Sequence, residues 1–276
     1  MLMSDLLTKA EQSLIMQSFK ARERQEPLNG DGFGVGWYVP QIDPSPCVFT
    51  STAPAWSNRN LRRLAEKTMS GCFFAHVRAA GRHGLVTEAN CHPFQYEQFL
   101  WMHNGAISHF PDVRRELRES LSDTAYDMVQ GTTDTEHAFA VFIDAILARL
   151  GDCSAADMRD ALMVTIRRLN ALGRKAEAAA PSRYNFAVTD GNSIVAARGV
   201  TPADAQPHSL YYALGDRFEN VEGKYVMRPA SERPEAIIIS SEPLTEERSF
   251  WKPVPVNHLL VVTPELDVTA VPIDCI

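Results

Sequence analysis

Cysteine is scarce and unpaired in this chain. Cys47, Cys72, Cys91, Cys153 and Cys275 are five among 276 residues, odd in number, widely spaced and never in a C-x-x-C pair. That spacing excludes a disulfide framework and a zinc knuckle, and it predicts ordinary thiols in a reducing compartment. A basic excess is missing as well. With 27 Lys and Arg against 34 Asp and Glu the formal charge is −7, so nothing answers a phosphate backbone or an anionic bilayer, and neither nucleic acid nor membrane is expected as a partner. Long apolar runs are absent too. Runs such as 236–239 fall far short of the roughly 20 residues that a spanning helix needs. The start, Met1-Leu2-Met3-Ser4-Asp5, places an acid where a secretory leader carries base, and the expectation is a cytoplasmic protein. G-x-x-x-x-G-K-[ST], H-E-x-x-H and G-x-S-x-G do not occur, which leaves P-loop, zincin and serine-elbow chemistries without local support.

What the chain does have is core material: 45% of its residues are hydrophobic and 22% charged, a globular balance. Leu14, Ile15 and Phe19 recur at helical spacing, which predicts an amphipathic helix over 8–24. Pro27-Leu28-Asn29-Gly30 breaks it, and Phe33, Val35 and Trp37 then alternate with Gly32, Gly34 and Gly36 as a strand. A short helix over 57–69, an apolar strand over 72–77, a patternless loop over 78–93 and a strand over 98–102 follow. Asn104-Gly105 is the strongest hairpin dipeptide and predicts a turn. Helices are predicted over 111–121, 134–150 and 155–172, the second opened by a capping box of Thr133 and Glu136. After Pro181 the pattern turns to strands over 184–188, 193–197, 210–214, 236–240, 259–262 and 268–271, with a turn at Asp190-Gly191. Strands at both ends with helices between them predict sheets assembled from distant segments, not a βαβ wheel. No repeat or linker divides the chain, so one domain over 1–276 is expected.

The glycines Gly30, Gly32, Gly34 and Gly36 leave one strand face bare, which predicts a close approach by a ligand or a second sheet. The run lacks the third glycine of G-x-G-x-x-G and enters a strand, so it is not a dinucleotide fingerprint. Three further segments carry chemistry: His76-Val77-Arg78 at a strand end, His103-Asn104-Gly105, and Thr133-Asp134-Thr135-Glu136 at a helix start. Singly, each has an ordinary reading as a surface arginine, a turn and an N-cap.

Together, and in this order, these segments resemble the class II glutamine amidotransferases, the N-terminal-nucleophile (Ntn) hydrolases that use a terminal cysteine. The likeness is to stand-alone members of the type that includes γ-glutamyl amide hydrolases. It runs through Ser13-Leu14-Ile15, positions 29–38, 74–78 and 133–136, and resumes at Ser241-Glu242-Pro243-Leu244 and Trp251-Lys252-Pro253-Val254-Pro255. The resemblance implies an α+β fold, a four-layer αββα sandwich with two mainly antiparallel sheets, and a site near the glycine strand and Asn104-Gly105. It implies Arg78 for a substrate α-carboxylate, where a guanidinium can make two parallel bonds, and Asp134 for the α-ammonium. Asn104, by its side-chain amide, and Gly105, by its N–H, would form the oxyanion hole, and His76 and His103 join the substrate-binding set. No metal or organic cofactor is implied. The expected partner is a small γ-glutamyl molecule, glutamine or a γ-glutamyl peptide or metabolite. A subunit that accepts ammonia is the alternative, with plain hydrolysis preferred. The loop over 78–93, with Arg82, His83 and His92, either shapes selectivity as a lid or is an ordinary exposed loop with scattered polar residues.

One element of the resemblance is missing. In these enzymes the first residue of the mature protein is a cysteine whose own α-amine, with a pKa of roughly 7.7 to 8.0, acts as base. Here Leu2 follows Met1 and no cysteine precedes Cys47. Two expectations compete: a true start about ten residues upstream that supplies the nucleophile and a first strand, or a family member that binds γ-glutamyl compounds or a partner without cleaving. An in-frame stop codon immediately upstream of Met1 would remove the first.

Overall fold

Ser13 breaks the helix expected over 8–24. Its hydroxyl accepts from the Met16 N–H at 3.5 Å, an N-cap bond, so α1 is confined to Leu14–Lys20 and a separate π-type turn occupies Asp5–Lys9. The structure, a computed structural model, describes residues 1–24, 26–81, 84–149, 153–176 and 180–276. They form two compact units, Met1–Pro93 with Ser209–Val254, and Phe94–His208 with Pro255–Ile276.

In the first unit, β1 (Phe33–Val39) lies between β2 (Asp43–Ser51) and β3 (Phe73–Val77) in an antiparallel sheet. Phe33 and Val35 turn to one side and pack with Ile15 of α1 and with Leu61 and Ala65 of α2 (Arg59–Ala65). β2 has no counterpart among the predicted strands because Pro44 and Pro46 argue against one. It is an edge strand, where missing ladder donors are tolerated.

The second unit opens with β4 (Phe94–Tyr96) and β5 (Phe99–Ala106). The expected turn at Asn104-Gly105 is not there. β5 runs straight through both residues, which lie opposite Asn185 and Tyr184, and the chain reverses at Glu97-Gln98, where Glu97 takes φ 48°. Helices α3 (Phe110–Glu119), α4 (Asp123–Asp127), α5 (Asp134–Leu147) and α6 (Ala155–Lys175) follow, then β6 (Ser182–Thr189) and β7 (Ile194–Thr201). Leu150, expected to close α5, lies outside the described residues. Thr133 caps α5, but Glu136 does not return the bond. Its carboxylate accepts from the N–H groups of Gln130 (2.9 Å) and Gly131 (2.7 Å), and the reciprocal box stands instead at Ser154 and Asp157.

The chain then returns to the first unit. β8 (Tyr211–Gly215) pairs with β11 (Ala236–Ser240) and β12 (Lys252–Pro253), and β9 (Arg217–Val221) forms a hairpin with β10 (Lys224–Arg228). The Tyr225 hydroxyl donates to Asp5 Oδ1 at 3.1 Å, which ties the amino-terminal turn to this hairpin. Finally β13 (His258–Val262) and β14 (Val268–Pro272) complete the second unit's six-stranded sheet, in the order β14-β13-β7-β6-β5-β4. α5 and α6 cover one face of that sheet through an aromatic stack in which Trp101 lies 4.7 Å from Phe186 and 5.5 Å from Phe142 between ring centroids. Burying each such side chain stabilises the unit by roughly 1.5–3 kcal/mol. The strand pairs among the described residues are antiparallel, where the sequence predicts mainly antiparallel sheets. No described helix is long and apolar enough to cross a membrane.

Candidate functional site

His76 and Arg78 belong to the first unit. What approaches its bare glycine face is the chain itself. A Cβ on Gly34 would stand 2.2 Å from the His92 carbonyl oxygen, and one on Gly32 would stand 2.7 Å from Cys91 Sγ. Only glycine lets the segment 91–93 lie this close. Gly34 pairs with His76, so His76 shares that face, and its ring lies 4.2 Å from the His92 ring. Arg82 and His83 of the expected lid lie outside the described residues.

Arg78 extends the pairing of β3 past its end. Its N–H donates to Gly32 O at 2.8 Å and its carbonyl accepts from Asp31 N at 2.9 Å. The residue is 5% exposed, yet its guanidinium makes one long bond, Nη1 to Asp31 O at 3.4 Å, and no ion pair among the described residues. The Asp31 carboxylate is engaged with the Ala80 N–H at 2.8 Å. Cys91 feels the Arg78 charge, which pulls its thiol down, but burial outweighs this and pushes it up. Burial likewise raises Cys275, and with neighbouring acids it pushes Cys153 up to about 11. None of these three thiols is primed as a nucleophile.

Asn104, Gly105, His103 and Asp134 belong to the second unit. The direction of the Gly105 N–H follows from bonds two strands away. Val200 N donates to Asn257 Oδ1 at 2.8 Å and Arg198 O accepts from Asn257 N at 2.7 Å, so residues 198 and 200 face β13 and residues 199 and 201 face β6. The register then turns Ser182 and Tyr184 towards β7, and Arg183 and Asn185 towards β5, opposite Ala106 and Asn104. Gly105 between them directs its N–H away from β6, to the side where β4 pairs only with Phe99 to Trp101. That donor stands outside the ladder. A side chain at 105 is excluded, since its Cβ would sit 2.1 Å from Arg183 O and 2.5 Å from His103 Nε2.

Asp134 stands at the first position of α5, after the Thr133 cap. Its Oδ1 accepts from Thr135 N (2.8 Å) and its Oδ2 from Ile107 N (2.8 Å), so the carboxylate is oriented by both its own helix and the chain leaving β5. His103, expected to touch substrate, is 3% exposed and has both ring nitrogens engaged within the unit. Nε2 lies 2.8 Å from Arg183 O and Nδ1 lies 3.1 Å from Thr135 Oγ1. A carbonyl only accepts, so Nε2 carries the proton and Nδ1 receives the Thr135 hydroxyl. Burial pushes the imidazole down against the pull of Asp134 and the Arg183 carbonyl. Thr135 was not singled out from the sequence; its neighbour Asp134 was the nearest signal. No cluster of three His, Cys, Asp or Glu among the described residues could hold a metal ion.

The second unit thus holds an N–H outside the ladder at Gly105 and an oriented acceptor carboxylate at the start of α5. The chain matches the family of glutamine amidotransferases class-II over residues 2–271 and belongs to it. Among its relatives, the probable glutamine amidotransferase DUG3 of Saccharomyces cerevisiae is 40% identical, over 94% of this chain and 78% of that protein. A solved glutamine aminotransferase class-II domain protein from Silicibacter pomeroyi superposes with a TM-score of 0.66 at 28% identity, over 87% of this chain and 91% of that one. A predicted glutamine amidotransferase from Pseudomonas aeruginosa, at 17% identity and a TM-score of 0.53, over 87% of each chain, shares the fold. The fold class expected from the sequence, a layered α+β sandwich of the Ntn-hydrolase type, is the one these structures have.

Proposed function

We propose that this protein binds a free γ-glutamyl head group and that its site is built to hydrolyse the γ-amide through a cysteine thioester. Arg78 carries the reading. A cation removed from water without a counter-ion costs several kcal/mol, and a ligand carboxylate met by two parallel guanidinium bonds offsets that cost. Asp134, already held by two N–H donors, has lone pairs left for an ammonium. The Gly105 N–H and the Asn104 amide would stabilise the oxyanion formed when a thiolate attacks the γ-carbonyl. Ammonia or an amine then leaves, and water cleaves the thioester. Plain hydrolysis of glutamine, a γ-glutamyl peptide or a γ-glutamyl metabolite is preferred over transfer of ammonia to a second subunit.

A second reading, binding without cleavage, is favoured by the thiols: Cys91, Cys153 and Cys275 are all raised. On this second reading the chain of 276 residues binds L-glutamine without releasing ammonia. On the first reading ammonia is released as the thioester forms. Calorimetric titration with L-glutamine tests the site in either case. Arg78→Lys loses one arm of the fork and should weaken binding by about 1.5–3 kcal/mol, roughly 10- to 150-fold in Kd. Unchanged affinity in a folded Arg78→Lys protein removes Arg78 from the site and with it the proposal.

A further inference from the structure

We propose that the His103–Thr135 hydrogen bond is a ruler that fixes the spacing between the oxyanion donors and the ammonium receptor, and so selects a γ-amide over the β-amide of a side chain one methylene shorter. This rests on the roles given above to Asn104, Gly105 and Asp134. The geometry that carries it lies within one unit. His103 immediately precedes Asn104-Gly105 on β5, and Thr135 immediately follows Asp134 on α5. The 3.1 Å bond between them and the 2.8 Å bond from Ile107 N to Asp134 Oδ2 clamp β5 and its exit to the helix start on both sides of Asn104-Gly105.

The direction of the bond matters as much as its presence. Because Nε2–H is committed to Arg183 O at 2.8 Å, the Thr135 hydroxyl must donate to Nδ1 and therefore turns its proton away from Asp134 Oδ1, which lies at 3.4 Å. Asp134 then accepts from the N–H groups of Thr135 and Ile107 and not from this hydroxyl, which keeps lone pairs for an ammonium. The bridge is buried: His103 is 3% and Thr135 4% exposed, and the imidazole lies 4.4 Å from the Phe186 ring between centroids. A satisfied polar pair in that position specifies one geometry where an apolar pair would allow sliding. Sites of this kind need the reacting groups held within roughly 0.5 Å. His103 is thus a positioning residue and does not touch substrate.

The test is the ratio of affinities for L-glutamine and L-asparagine, measured by calorimetry on the whole chain, which needs no turnover. The wild-type protein should prefer glutamine by at least about tenfold. Thr135→Val, which keeps the shape and removes the donor, should loosen glutamine by about tenfold and bring the ratio to within about threefold of unity. Thr135→Ser should restore the ratio. A general loss of packing would weaken both ligands alike, with no rescue by serine. If Thr135→Val is recovered unfolded, Thr135→Cys takes its place, and nitrogen-15 NMR of the wild-type imidazoles at pH 7 reads the bridge directly. The Nε2–H tautomer of His103 is expected, and the Nδ1–H tautomer overturns the proposal. A wild-type ratio retained by Thr135→Val overturns the ruler and leaves the site reading intact. Failure of the wild-type protein to bind either amino acid overturns both.

Discussion

Gly105→Ala is the most exacting perturbation of this site, because its effect can be worked from three distances. The new Cβ would stand 2.1 Å from Arg183 O, 2.5 Å from His103 Nε2 and 2.9 Å from Arg183 C. Two of these atoms are backbone, so β5 and β6 must separate locally by roughly an ångström in a close-packed interior. Overpacking of this kind costs about 1–3 kcal/mol. The displaced carbonyl is also the acceptor of His103 Nε2 at 2.8 Å, and a buried imidazole N–H left unpaired costs about 1–3 kcal/mol more. The sum is roughly 2–6 kcal/mol, which at about 2–4 °C per kcal/mol predicts a fall in Tm of roughly 4–24 °C. Differential scanning calorimetry measures it. The matched control is Gly173→Ala in α6, where a Cβ meets nothing within 4 Å and the helix should gain about 0.5–1 kcal/mol. A Gly105→Ala protein melting within 2 °C or so of wild type would refute the claim that glycine is there for lack of room.

Gly34→Ala should lift the segment 91–93 off β1, since the Cβ would meet His92 O at 2.2 Å. Cys91, buried at 2% exposure, should then react with a maleimide well before the protein unfolds, as peptide mass spectrometry would show; protection equal to wild type refutes the close contact of this segment with β1. Acid should weaken the fold through His103 and His137, both held low by burial. A histidine with a depressed folded pKa contributes stability that is full above its unfolded value near 6.5 and is lost as pH falls through the folded pKa, at up to about 1.4 kcal/mol per pH unit each. Glu136, raised by burial, has the opposite sign: its contribution is full below its unfolded pKa and lost as pH rises through the folded one. It is one carboxyl against two imidazoles, so the urea midpoint should be lower at pH 5.5 than at pH 7.5, and an unchanged or higher midpoint contradicts the assignment.

The elements that could be read from sequence were those whose local chemistry and tertiary use coincide. The strands at 236–240 and 268–271 and the helices that begin at Asp134 and Ala155 follow from patterning and caps. Asn104-Gly105 shows why the rest could not be read. The dipeptide has the residues of a type I′ turn, but a turn there would take the Gly105 N–H out of the strand that aims it, and the contacts at Arg183 O and His103 Nε2 explain the glycine without any reversal. The real reversal uses Glu97-Gln98, which carries no turn signature; Glu97 is held at φ 48° by the pairing on either side. The hairpin of β9 and β10 was hidden for a related reason. Only Phe218, Tyr225 and Met227 are buried among many charges, too few apolar positions for a strand pattern to stand out. Arg78 and Asp134 were read as candidates from residue types in a recognised order. Local pattern could not reveal that His103 is fully engaged by Arg183 and Thr135, because those partners lie 80 and 32 positions away. A histidine beside Asn104-Gly105 reads as a ligand until its two nitrogens are counted; both are taken within the unit, which leaves the imidazole to tie β5 to the start of α5.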